Sequence, residues 1–198
     1  MTAVTLATFA VPVDEITVAR ARAGDEAALE ELFRRFEAPV YSLARRLTGS
    51  KHDAEDVLQE TFLEVVRSIR RFRGDGSLAG WIRKVAASKA LMKLRRRQGR
   101  GVEEALPDDL GDGARDAVSH GPAPAVTDRV DLETALGRLS DAARAVIWLH
   151  DVEGYSHDEI AAMAGKTPSF SKSQLARAHA RLREALAPGF GRNHAPEP

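Results

Sequence analysis

The sequence predicts an all-α protein: two small helical bundles joined by a flexible linker, the C-terminal bundle a helix-turn-helix. Three observations carry this. Apolar residues recur at helical steps in both halves, the alternation of a strand appears nowhere convincingly, and glycine and proline collect in one internal segment. Residues 99–126 hold five of the 15 glycines and three of the nine prolines, whereas 14–98 contain only Pro39 and 127–187 only Pro168. The organisation read from this is a first helical domain at 14–98, a linker at 99–126, a second helical domain at 127–187 and a frayed tail at 188–198. Lobes of fewer than about 90 residues have limited cores, so burying apolar stripes against one another is most of what stabilises each.

The first lobe opens with Leu29, Leu32, Phe33, Phe36, Val40, Leu43 and Leu47 at helical spacing, an amphipathic helix with Pro39 as the place for a kink. Leu58, Phe62, Val65, Ile69 and Phe72 then step by 4, 3, 4, 3, the seam of a second helix. A third is predicted to begin near Leu78 and to turn Trp81, Ile82, Val85 and Ala86 inward. In the second lobe Ser140 is an N-cap for a helix bearing Val146, Ile147 and Leu149, which should end between Asp151 and Gly154. Ser156 and Glu159 form a capping box for the next helix, whose inner face is Ile160 and Met163. Gly165 suits a sharp left-handed stop, and Thr167 with Pro168 restarts a helix that runs to about Leu186.

A composition of 43% hydrophobic and 29% charged residues fits a globular chain. With no cysteine, disulfides, thiolate metal sites and thiol nucleophiles are excluded. The six histidines, at 52, 120, 150, 157, 179 and 194, lack zinc-like spacing and read as incidental. No metal site, cofactor or catalytic residue is therefore expected, and the protein is not read as an enzyme. The N-terminus from Met1 to Val13 lacks a basic leader region and no stretch of eighteen consecutive apolar residues occurs, which reads as cytoplasmic with no membrane insertion.

The 29 basic and 29 acidic residues cancel only in sum. From Arg67 to Arg100 there are twelve Lys/Arg against Asp75 alone, a net of +11 and a strong local polycation. Residues 53–64 carry five acids and no base, and 102–116 have a net charge of −5. Asp56, Gln59 and Glu60 fall at i, i+3, i+4 and share one helix face, suited to docking on a basic protein surface; a solvated acidic first turn is the blander alternative. Around the glycine-rich loop 74–80, the cations mixed with Phe72 and Trp81 suit single-stranded or melted DNA, although the spacing of Trp81 favours a core role. The helix after Pro168 carries Lys172, Arg177, Arg181 and Arg183 with no acid before Glu184, as a DNA-reading helix would.

The ordered set DAEDVLQETF (53–62), RFRGDGSLAGWIRKVA (71–86) running into LRRR (94–97), DVEGYSHDEIAAMAG (151–165) and KSQLARAHARLR (172–183) resembles a bacterial RNA polymerase sigma factor of the extracytoplasmic-function (ECF) class of the sigma-70 family. The resemblance covers about residues 14–97 and 128–187. It implies an alternative sigma factor that binds core RNA polymerase, at the clamp helices of the largest subunit and at the flap, and directs initiation at promoter DNA under control of an anti-sigma factor. It places Asp56, Gln59 and Glu60 at core docking. It places the loop from Phe72 to Gly80 and the helix after it, with Arg73, Asp75, Ser77, Lys84, Ser88 and Lys89, at the minus-ten element, and Lys172, Ser173, Gln174, Arg177 and Arg181 at the minus-thirty-five element.

Arg suits guanine and Gln suits adenine, so a purine-containing element is expected. The chain departs from the family in having Ser88 for the usual Asn, Met92 for Asp, Ser169-Phe170-Ser171 for Gly-Thr-Val, and Gln174 where Arg is common. A linker of 28 residues has a root-mean-square span of about 30 Å and an extended limit of about 90 Å, enough to bridge promoter elements about 50 Å apart. Two other functions fit the residues less fully: a stand-alone helix-turn-helix regulator, and a polymerase-binding adaptor without DNA recognition.

Overall fold

The computed structural model describes residues 9, 10, 12–74, 76–99 and 128–186; of the segment read as a linker it describes only Gly99, which is the last residue of a helix and not linker, and the rest of that segment, the tail and Asp75 lie outside these residues. The chain divides into two compact units, 1–97 and 98–198. Among the described residues there is no strand.

In the first unit Asp14 caps α1 (Glu15–Ala23) by accepting from the Thr17 amide. The helix ends at Gly24, whose φ of 90° is the left-handed conformation glycine tolerates. Asp25 then caps α2 (Glu26–Thr48) by accepting from the Ala27 and Ala28 amides. This helix continues through Pro39, which is buried, so the proline does not end it. Ser50 caps α3 (Lys51–Ser68), a 3-10 turn follows at Ile69–Arg71, and α4 runs over Leu78–Gly99.

The first core is built from Leu32, Phe36, Val40, Leu43 and Leu47 of α2, Val57, Phe62 and Val65 of α3, Ile69, and Leu78, Ile82, Ala86, Ala90 and Leu94 of α4. Each large aliphatic or aromatic side chain buried here stabilises the unit by about 1.5–3 kcal/mol relative to exposure. The seam of α3 sits differently from the sequence expectation: Ala54, Val57 and Thr61 are buried, while Leu58 and Phe72 are only partly covered. The step from 54 through 57, 61 and 65 follows the helix period closely. Thr61 can occupy it because its hydroxyl donates to the Val57 carbonyl at 2.6 Å. On α4 the buried stripe is 78, 82, 86, 90 and 94, which leaves Trp81 and Val85, expected inside, half-buried at its flank. Phe33 is 37% exposed and meets Phe62 edge to face at 4.8 Å.

The second unit begins with α5 (Asp128–Gly137). Ser140 caps α6 (Asp141–Ile147), and a π turn over Trp148–Val152 extends it, with Leu149 fully buried. This stretch closes at Gly154, φ 76°, within the stop region read from the sequence. Helix α7 (His157–Ala164) has the predicted capping box, with Ser156 and Glu159 each accepting from the other's backbone amide. Its stop is the left-handed Gly165, and Thr167 caps α8 (Pro168–Ala185). Two helices joined by this short turn make the helix-turn-helix.

Candidate docking and DNA-reading surfaces

Helix α3 presents acids and α4 presents cations, and the packing of the first unit brings the two rows together. Lys93 Nζ lies 2.5 Å from Asp56 and 3.6 Å from Asp53; Arg97 reaches Asp53 at 3.1 Å, Arg96 reaches Glu60 at 3.6 Å, and Lys89 reaches Glu64 at 3.3 Å. The Lys93 hydrogen bond holds the Asp56 carboxyl below its ordinary value, against a smaller upward push from burial, with further help from the Lys93 and His52 charges. In turn Asp56 raises Lys93, opposed by burial and aided by Asp53. Two of the three predicted docking residues, Asp56 and Glu60, are therefore joined to α4, while Gln59 is exposed.

The same face of α3 continues from Gln59 into Leu63 and Val66, which are 55% and 52% exposed. Sequence reading missed these two. The signal was present: they stand at i+4 and i+7 from Gln59 and outside the apolar seam.

Of the residues predicted to meet the minus-ten element, Arg73 and Lys84 are exposed. Ser77 is exposed too, and its hydroxyl accepts from the Gly80 amide at 3.0 Å at the start of α4. Ser88 is half-buried, and Lys89 is drawn to Glu64. Asp75 lies outside the described residues. A shallow groove of about 290 Å³ runs along α4, with Trp81, Val85 and Met92 as an apolar floor and Lys84, Ser88, Lys89 and Glu64 around it. Phe72 supports the Trp81 ring from 5.5 Å. An apolar floor beside lysines is chemically suited to an unstacked base and its phosphate.

In the second unit α8 buries Ser171, Leu175 and Ala178 and turns Lys172, Ser173, Arg177 and Arg181 outward, with Gln174 half-buried at the edge. All five predicted reading residues thus lie on or beside one open face of the second helix of the motif. The histidines here are not incidental, in contrast to the sequence reading. Asp151 on the π turn meets His150 Nδ1 at 2.8 Å and His179 Nε2 of α8 at 2.6 Å. His157 of α7 stacks on His150 with centroids 4.5 Å apart and bonds the buried Ser171 hydroxyl at 3.0 Å. Burial pushes the Asp151 carboxyl up, yet the two imidazole hydrogen bonds and charges outweigh it and leave it lowered. Among the described residues no group of His, Cys, Asp or Glu is arranged to hold a metal. The cluster instead pins α8 to the turn before α7.

Comparison with known proteins gives the family. Residues 32–100 match the family model of sigma-70 region 2, and 129–182 match that of sigma-70 region 4. The ECF RNA polymerase sigma factor SigE of Mycolicibacterium smegmatis is 38% identical over 170 residues, covering 83% of this chain and 65% of that protein. SigM of Mycobacterium tuberculosis, another ECF sigma factor, is 32% identical over 164 residues, covering 83% of this chain and 80% of its own length. Among solved structures, the Bartonella quintana sigma factor RpoE, in complex with the anti-sigma factor NepR, matches with a TM-score of 0.50 and 27% identity over 75% of this chain and 89% of that one. A region 2 match followed by a region 4 match places the chain in the sigma-70 family of transcription factors. Within it, the chain belongs to the ECF RNA polymerase sigma factors.

Proposed function

We propose that this chain is an alternative sigma factor that docks on core RNA polymerase through α3, reads and helps melt the minus-ten element with α4 and the loop before it, and reads the minus-thirty-five element with α8. The observation that carries the reading is the pairing, within one chain and in family order, of a region 2 unit holding a grooved basic helix with a region 4 unit whose second helix turns its cations outward. Asp56, Gln59 and Glu60 supply the polar part of the docking face, and Leu63 and Val66 extend it with apolar surface that a partner would cover. On α8, Arg177 and Gln174 are the pair suited to purine edges, while Lys172 and Arg181 suit phosphate.

The protein would act within the cell and catalyse no reaction itself, its effect being exerted through polymerase. No described helix is long and apolar enough to cross a membrane. An anti-sigma factor binds the similar sigma factor of Bartonella quintana, and the same kind of regulator would hold this chain inactive.

Run-off transcription with core polymerase on a library of randomised promoters tests the proposal. Wild type should yield transcripts sharing a two-part upstream motif, and the triple variant Asp56→Ala, Gln59→Ala, Glu60→Ala should lose them. Transcripts that persist at full yield in the triple variant would overturn the docking assignment.

A further inference from the structure

The cations of α4 are largely engaged before any DNA arrives. Acids on α3 at 53, 56, 60 and 64 step by 3, 4, 4 along one stripe, and the cations of α4 at 89, 93, 96 and 97 meet that stripe. The outermost rungs are Glu64 with Lys89 at one end and Asp53 with Arg97 at the other. Between them Asp56 takes Lys93 and Glu60 takes Arg96. Lys89 and Lys93 are only 21% and 26% exposed, so the pairing also covers them. Lys84 and Arg95, exposed on the same helix, stand outside the ladder.

Ion pairs this close to solvent contribute little to stability, so the fold does not require this arrangement. Its consequence for binding is larger. A cation meeting phosphate gains mainly by releasing counterions, and one already neutralised by a carboxylate must first break that pair.

We propose that the acidic stripe of α3 is an internal stand-in for phosphate that masks the basic stripe of α4 in the free chain, and that docking of Asp56 and Glu60 on a basic partner surface releases Lys93 and Arg96 for DNA. The second half rests on the reading of α3 as the polymerase-docking face; the first does not. The same carboxylates thus serve two competing sets of cations, and partner docking and DNA binding by the first unit become coupled.

The masking is tested on the full-length chain without polymerase, by the salt dependence of binding to a fluorescent single-stranded oligonucleotide between 50 and 200 mM salt. Glu64→Gln should steepen the slope of log K against log salt by about 0.7, and the triple variant Asp56→Asn, Glu60→Gln, Glu64→Gln by about 1.4, as expected for one and two released cations on a single strand, Lys93 keeping Asp53 as a partner. A control, Glu15→Gln, Glu26→Gln, Glu37→Gln, makes the same charge change outside the ladder and should leave the slope as in wild type. Equal slopes for the ladder triple and the control would overturn the masking, and the single Glu64 variant reports independently if the triple is poorly folded.

The coupling is tested by core polymerase binding of Lys93→Gln, which frees Asp56 from its internal partner. Binding several-fold tighter than wild type supports competition; weaker or unchanged binding overturns it, since Lys93 would then position Asp56 rather than compete for it. If neither form binds core, the docking assignment fails, and the oligonucleotide slopes still decide the masking.

Discussion

Asp56 carries a pH signature that follows from its partner. Its carboxyl is held below 3.8 by Lys93, so the ionised form is favoured in the folded state and its contribution to stability is present above that value and lost as pH falls through the folded one. Lys93 is raised above 10.5, so its share is complete below that value and fades only at higher pH. The pair thus contributes across the neutral range. Thermal melting of the first unit should weaken on acidification from pH 6 to 3, and Asp56→Asn should show a smaller acid loss than wild type. An identical acid loss in both would show that Asp56 takes no part in it.

Gly24 is a second single-residue test. Its φ of 90° is strained for any L side chain, and an added Cβ would meet Arg70 Nη2 at 3.0 Å, a flexible end that can move aside. Gly24→Ala is predicted to cost about 1 kcal/mol, read as a lower urea midpoint for the first unit. Least legible at this scale were Thr61 and the histidine cluster. Thr61 counts as polar until its hydroxyl is seen to bond within its own helix. His179 lies 22 residues beyond His157, and the three histidines converge only because α7 and α8 fold back on the π turn that carries His150.

At the scale of elements, the second unit was the more readable because its boundaries are written in capping chemistry. Ser140, Ser156, Glu159, Gly165, Thr167 and Pro168 each act locally, and a local signal survives whatever the tertiary packing does. Ser156→Ala removes one half of the capping box and should destabilise the second unit by about 0.5–2 kcal/mol, measured by thermal melting. No change in that transition would mean that the packing of Ile160 and Ala161 alone sets the start of α7.

What the sequence did not disclose depends on neighbours. The π turn of Trp148–Val152 has no composition signal. Which face of α3 turns inward depends on two packing partners, and on α4 Ile82 and Ala86 are buried as expected while Trp81 and Val85 are displaced to the flank. That displacement has a consequence for the candidate site, because these two residues form the floor of the groove instead of part of the core. The acidic and basic stripes were each visible along the chain, but their pairing across α3 and α4 was not. Sequence spacing shows which residues share a face, and only the fold shows what that face meets.

At the scale of the molecule, a formal net charge of zero conceals the separation of charge on which the account depends. In the proposed function the region 2 and region 4 units each bring a surface for DNA, and neither surface alone specifies a two-part promoter. If polymerase is what arranges them, the chain by itself should recognise little. Footprinting on a promoter selected by run-off transcription tests this most directly, with the chain alone, core polymerase alone, and both together. Protection of the minus-thirty-five and minus-ten elements, with opening of the duplex at the latter, is expected only when both are present. Strong protection by the chain alone would contradict that expectation and identify a stand-alone regulator; binding to core without any protection would contradict it and identify an adaptor.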